Sequence, residues 1–322
     1  MRIKILITIG LLGLILSSSF SQNEIRHNEN KICITVDDLP AVTYSSIISN
    51  NVKLRSEITS KLTESFERYR VPAIGFVVLG QLYEGGAVDS TNLRLIEIWL
   101  EHGCDLGNHT YSHFDYNSVS DTTYFNDIIK GQNLVKSLNQ KHTKVLKYFR
   151  HPYLHSGYDS IRGKSLNDLL SKNYYIASPV TIDNDDYIFA KAYAIANKDN
   201  DTLLMKEIGT EYVNYMEEKL HYFEKKSIEV FNTNITQSLL IHASLLNADY
   251  FDELAEMYIK NGYTFVSQDE VFNDPAYATS ITYFSNRGFS WIFRWGLSKG
   301  MNQEIMANDI SVPQKITEIE KK

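Results

Sequence analysis

Residues 32–40 read Ile-Cys-Ile-Thr-Val-Asp-Asp-Leu-Pro. The first five, β-branched except for Cys33, form the near-continuous run expected of a strand buried on both faces of a parallel sheet. The run gives way to two adjacent carboxylates, Asp37 and Asp38, and then to Pro40, which cannot donate to a central ladder. The strand is therefore expected to end at the carboxylates. Burying two carboxylates side by side is costly unless a cation or a proton neutralises them. Neighbouring residues at a strand end point in different directions, so one carboxylate can hold a metal ion while the other faces its water as a general base. The same pair before Leu-Pro would also serve as a helix cap or an Asp-rich turn.

A second stretch bears on that choice. Cys104-Asp105-Leu106-Gly107-Asn108 runs into His109-Thr110-Tyr111-Ser112-His113. If a short strand breaks here into a helical turn, the two histidines at i and i+4 share a face and can reach one ion. Neutral imidazoles suit zinc or a similar transition metal, but a catalytic site needs a third protein ligand and an open position for water. Alone the spacing is weak, because such pairs arise often by chance.

Outward from these stretches, strand and helix alternate. Residues 53–70 carry Leu54, Ile58, Leu62 and Phe66 at helical spacing and stop at Pro72. Residues 73–80 read as an apolar strand and 92–102 as a helix ended by Gly103. Next come a helix over 121–139, a strand over 146–150, a helix over 161–172 and a strand-like run over 174–182. Later, residues 238–242, 250–260 and 264–266 read as strand, helix and strand. Such alternation, with polar chemistry at strand C-terminal ends, predicts an α/β fold, a parallel β/α barrel with its site at one face.

Five short motifs in order are similar to those of the NodB-homology polysaccharide deacetylases, carbohydrate esterase family four. They are Thr35-Val36-Asp37-Asp38, Gly107-Asn108-His109 through His113, Arg150-His151-Pro152-Tyr153, Asp186-Tyr187 and Leu239-Leu240-Ile241-His242. The resemblance covers about residues 31–270. It implies a distorted β/α barrel of the NodB type, with Asp38, His109 and His113 as ligands of a divalent metal, zinc first and cobalt or nickel next. It further implies Asp37 as base, His242 as acid and the Tyr153 backbone N–H as an oxyanion donor, with Arg150 holding Asp37 and Asp186 orienting His242. The implied reaction is removal of N-acetyl groups from an amino-sugar glycan, chitin-like or peptidoglycan-like. O-acetyl ester hydrolysis on a xylan-like chain, small-molecule amide hydrolysis, and carbohydrate binding without turnover are the competing readings. Val36, Leu39, Tyr187 and Leu154 stand where the family usually has Phe, Gly, Trp and Gly. These departures touch the floor and rim of the groove and none removes a ligand or a proton-transfer group.

The remaining sequence sets the context. Arg2 and Lys4 precede an apolar run over 5–16 and small residues at 17–21, the pattern of a secretory signal too short to span a bilayer comfortably. The expected organisation is a signal peptide over 1–21, a deacetylase domain over 22–270 with a helical insertion at about 188–237, and a C-terminal extension over 271–322. The product should be exported, periplasmic or secreted, with no transmembrane segment once the signal is removed. A net charge of −7 over 322 residues and the lack of a basic stripe argue against a nucleic-acid partner. Cys33 shares strand parity with Asp37 while Cys104 is out of phase with His109, so two free, buried thiols are expected. The insertion is charged and rich in helix formers, with Tyr212, Tyr215, Met216, Leu220 and Phe223 on one helical stripe expected to pack on the barrel. Tyr283, Phe284, Trp291, Phe293 and Trp295 near Arg287 and Arg294 could stack on sugar rings but are expected to cover the barrel's base, and residues 311–322 to fray.

Overall fold

The computed structural model describes residues 30–44, 47 and 52–321, so the expected signal peptide over 1–21 lies outside the described residues. The chain opens with β1 (Asn30–Val42), α1 (Val52–Tyr69) and β2 (Ile74–Val77). A small hairpin of β3 (Tyr83–Glu84) and β4 (Ala87–Val88) leads to α2 (Ser90–Glu101) and β5 (Asp105–Asn108). There follow α3 (Asp121–Ile129), α4 (Gln132–Lys141), β6 (Tyr148–Phe149), α5 (Ser160–Lys172) and β7 (Ile176–Ala177). The second half holds α6 (Asp186–Lys198), α7 (Thr202–Phe231), β8 (Gln237–Ser244), α8 (Leu245–Lys260), β9 (Tyr263–Phe265) and α9 (Gln268–Val271). It ends with α10 (Trp291–Ser298) and α11 (Gln314–Glu320).

Seven parallel strands run in the order β7-β6-β5-β2-β1-β8, with β9 also on β1. Beyond β7, Ile182 bridges to Leu239 of β8 and brings the two ends of the sheet together. This is a distorted parallel β/α barrel, as the sequence predicts. Ile32, Ile34 and Val36 of β1 are fully buried, as a central strand covered on both faces requires.

Several elements differ from their sequence reading. β1 does not end at the carboxylates: Asp38 takes φ 64°, the register shifts, and pairing resumes at Val42 with Ser244. Pro40 is tolerated because it sits in this bulge, where its missing N–H removes no ladder bond. The helix expected over 121–139 is two, broken at Gly131 with φ 76°. Of the run over 174–182, only Ile176, Ala177 and the Ile182 bridge pair. Residues 188–237 agree with their helical reading, since they hold most of α6 and all 30 residues of α7, which buries Tyr212, Tyr215, Met216, Leu220 and Phe223. Residues 314–320 are not frayed, since α11 buries Ile316 and Ile319 and ties Glu320 to Lys191 of α6 at 2.6 Å. Both cysteines are free and buried.

Gly107 of β5 shows how packing sets the site. Its register partner is Phe76, and a Cβ at Gly107 would lie 2.3 Å from that ring and 3.2 Å from the Tyr148 carbonyl. The ring in turn lies 4.6 Å below the Arg150 guanidinium. Gly107→Ala must displace a fully buried ring and is expected to cost about 1–3 kcal/mol, read as a lower urea midpoint. A variant as stable as the wild-type chain would contradict this packing.

Candidate active site

The segment that carries the two histidines is not a helical turn. After β5 the chain passes through Thr110 and His113, both left-handed at φ 63° and 55°. Side chains hold this shape in place of helical hydrogen bonds. Asn108, fully buried, accepts from the Thr110 N–H at 2.7 Å and donates to the Ile128 carbonyl and Tyr175 hydroxyl, both at 2.9 Å. Asp127 accepts from the Tyr111 and Ser112 N–H groups, and the Thr110 hydroxyl accepts from the His113 N–H at 3.0 Å. The imidazoles converge all the same, with ring centroids 4.8 Å apart.

Asp38 meets them from β1. Its Oδ1 lies 3.4 Å from His109 Nε2 and 3.3 Å from His113 Nε2, and one donor atom from each of the three residues falls within 4.8 Å of the others. Asp38 Oδ1 is buried and has no hydrogen-bond partner among the described residues. His109 Nδ1 lies 2.9 Å from the Arg150 carbonyl and must donate to it, which leaves Nε2 as a lone pair in the neutral ring. A buried carboxylate oxygen facing such nitrogens fits a divalent cation of the zinc type. Burial works against the Asp38 carboxylate. The imidazoles of His109, His242 and His113 around it nevertheless hold it well below the usual carboxylate range. Burial and the neighbouring His109 push His113 down to about 4, so its ring is neutral and free to ligate at ordinary pH.

Asp37 is placed differently. It is 3% exposed, its Oδ1 lies 3.5 Å from Arg150 Nη1, and its Oδ2 lies 3.8 Å from His109 Nε2. Arg150 is fully buried, donates to the Thr35 hydroxyl at 2.8 Å and reaches the Ser178 hydroxyl at 3.3 Å. The two adjacent carboxylates therefore have separate surroundings, one among imidazoles and one against a guanidinium.

β8 brings the fourth group. His242 pairs in register with Asp37, and its Nδ1 lies 2.7 Å from Asp186 Oδ1. Asp186 Oδ2 accepts from the His242 N–H and from Asn247 Nδ2, both at 2.8 Å, and the Tyr212 hydroxyl donates to Asn247 Oδ1 at 2.6 Å. Burial alone would lower His242. The Asp186 carboxylate beside it, with Asp38 and Asp37 beyond, outweighs burial and raises it to about 10. Tyr153 stands on the other side, its ring 4.9 Å edge-on to His113, with φ 56° followed by φ 55° at Leu154.

All eight residues singled out in the sequence surround or brace one cleft of about 720 Å³. Asp37, Asp38, His109, His113, Tyr153 and His242 line it, while Arg150 and Asp186 stand behind. Residues 24–169 match the family model for polysaccharide deacetylases. Over these residues the chain is similar to the polysaccharide deacetylases. The matched segment holds the Asp38, His109 and His113 cluster, Asp37, Arg150 and Tyr153, and stops before Asp186 and His242.

Among solved structures, the chain is similar to a family 4 carbohydrate esterase from Streptomyces lividans, at 15% identity over 74% of this chain and 94% of that one, with a TM-score of 0.47. It is similar to the peptidoglycan deacetylase PdaC from Bacillus subtilis at 17% identity, 76% and 93% coverage and a TM-score of 0.47. A family 4 pseudoenzyme from Bacillus anthracis matches at 12% identity, 76% and 66% coverage and a TM-score of 0.46. No curated protein matches the sequence.

Sequence reasoning missed several lining groups. Asp183, pushed up to about 6 by burial, stands on the cleft wall with Asn184 and Asp185. His151 and His155 line it too, His155 Nδ1 lying 2.6 Å from Asp115 Oδ1. The signal for Asp183 was visible in the run Asp183-Asn184-Asp185-Asp186. Asn247 and Tyr212 could be found only once α7 and α8 were packed.

Binding at a preformed cluster stabilises the folded chain, by about 2.7 kcal/mol at a hundredfold excess over Kd. Thermal unfolding in excess zinc against chelator is expected to show a higher Tm with zinc, and His113→Ala to abolish the difference. Equal melting of the wild-type chain under both conditions would contradict a metal centre here.

Proposed function

We propose that this chain removes N-acetyl groups from an amino-sugar glycan by metal-assisted hydrolysis. The observation that carries this reading is the division of labour between adjacent carboxylates, Asp38 with His109 and His113, and Asp37 with Arg150. Asp38, His109 and His113 would hold the ion, which when bound polarises an acetyl carbonyl and lowers the pKa of water. Asp37 takes the proton from the attacking water, and Arg150 fixes the direction of its lone pairs. The Tyr153 N–H binds the oxyanion that develops on the carbonyl oxygen. His242, kept protonated by Asp186, gives its proton to the departing amine as the carbon–nitrogen bond breaks, so acetate and a free amino sugar leave. The leader read at residues 1–21 would place the product outside the cytoplasm, where envelope glycans lie.

Asp37→Asn keeps the size of the side chain and removes the basic oxygen. Acetate release from N-acetylated oligosaccharides is expected to fall by about two orders of magnitude with metal content unchanged. Asp38→Asn is expected to lose the metal instead, and the reverse pattern would exchange the two roles. Because His242 must be protonated to act, the rate is lost as pH rises through its pKa, giving a basic limb. Asp186→Asn removes the main charge that raises that pKa, so the limb should move to lower pH. A limb that stays in place would leave Asp186 without influence on the acid.

A further inference from the structure

The loop over 150–156 holds its shape against its own preferences. Tyr153 and Leu154 are consecutive left-handed residues, neither of them glycine, and such backbone persists only where surrounding structure over-determines it. Within the loop, the Leu154 and His155 N–H groups reach the His151 and Pro152 carbonyls at 3.0 and 3.1 Å. Further restraints come from the segment after residue 271, whose Gly288 and Trp291 lie beside the cleft while Trp295 packs on Phe231 and Tyr277 near the start of β8.

Arg294 of α10 is fully buried. Its Nη2 donates to the Leu154 carbonyl at 2.8 Å and reaches the Arg287 carbonyl at 3.4 Å, while Nη1 donates to the Ser156 hydroxyl at 3.1 Å. Its guanidinium lies 4.7 Å from the Phe289 ring and 4.9 Å from that of Trp291. Trp291 stacks on His151 at 6.0 Å and 18°. Gly288 lies so close to the loop that a Cβ there would stand 1.9 Å from the Tyr153 carbonyl oxygen. The same segment is pinned on its other side. The Trp291 N–H donates to the Val180 carbonyl at 2.7 Å and the Ser290 hydroxyl to the Thr181 carbonyl at 2.6 Å, just before Asp183 and Asp186. A buried cation that spends its donors on loop oxygens is an expensive feature if all it supplies is packing.

We propose that Arg294, with Gly288 and Trp291, is a positioning element that clamps the Tyr153–Leu154 turn to the opposite wall of the cleft and so fixes the Tyr153 N–H for the reaction. The proposal rests on the deacetylase reading above for what the turn does, and on geometry alone for the clamp. Arg294 touches no reacting atom and acts only through the loop. A lysine in its place cannot fork between Leu154 and Ser156.

The test compares Arg294→Lys, Arg294→Met and Gly288→Ala with the wild-type chain, all zinc-loaded. Glu320→Gln, which loosens the extension at its far end, is the control. Expected for the three clamp variants are a loss of kcat of about tenfold to a hundredfold with KM and zinc content near normal, and faster amide hydrogen exchange over residues 150–156. Glu320→Gln should change neither. Wild-type kcat and wild-type exchange in folded Arg294→Lys and Gly288→Ala would overturn the clamp, as would a loss of zinc equal to the loss of rate or an equal effect of Glu320→Gln. If the wild-type chain releases no acetate while exchange over the loop still rises in the variants, the deacetylase reading fails and the clamp stands.

Discussion

Asp37 and Asp38 bring two negative charges to the end of a central strand, one almost wholly buried and the other partly so, and everything around them answers that cost. Two carboxylates on successive residues cannot both remain ionised in such a place unless each meets its own positive or polarisable partner. The bulge at Asp38 solves the geometric half of the problem by turning that side chain toward His109 and His113 while Asp37 stays in the strand against Arg150. The rest of the cleft elaborates the electrostatic half. Arg150 is supported from below by the Phe76 ring, which requires Gly107, and His109 is aimed by the Arg150 carbonyl. Arg150 thus braces the base through its side chain and the ligand through its backbone.

A second dependency runs through strained backbone. Asp38, Tyr44, His113, Tyr153 and Leu154 are left-handed without being glycine, and all five line the cleft. Three of them are held by neighbours outside their own segment: Asp127 holds the loop of His113, and Arg294 holds the turn of Tyr153 and Leu154. The site is assembled from loops, but from loops whose shape the scaffold imposes.

Much of this was legible in the sequence, and the division between what was and was not follows physical range. The apolar strand before Asp37, the helical stripe of Leu54, Ile58, Leu62 and Phe66, and the order of the motifs are local signals, and they led to the barrel and to the residues around its cleft. The shape of the His109–His113 segment was misread, because the acceptors that replace a helical turn, Asn108 and Asp127, include a residue about 16 positions away whose role depends on packing. The end of the chain read as frayed because its order comes from burial of Ile316 and Ile319 and the tie to α6, and not from local pattern. The role of Arg294 could not be read, since nothing in an arginine among aromatics tells whether it faces solvent or a carbonyl. Asn247 and Tyr212, which hold Asp186 in place, were hidden for the same reason.

The claim on which the chemistry rests is that Asp38 and not Asp37 joins the two histidines around one ion. Anomalous diffraction at the zinc edge from crystals of the zinc-loaded chain tests it directly. A single peak within about 2.3 Å of Asp38, His109 and His113, with Asp37 outside that range and facing the open coordination position, is expected. A peak held by Asp37, or no peak between the two histidines, would contradict it.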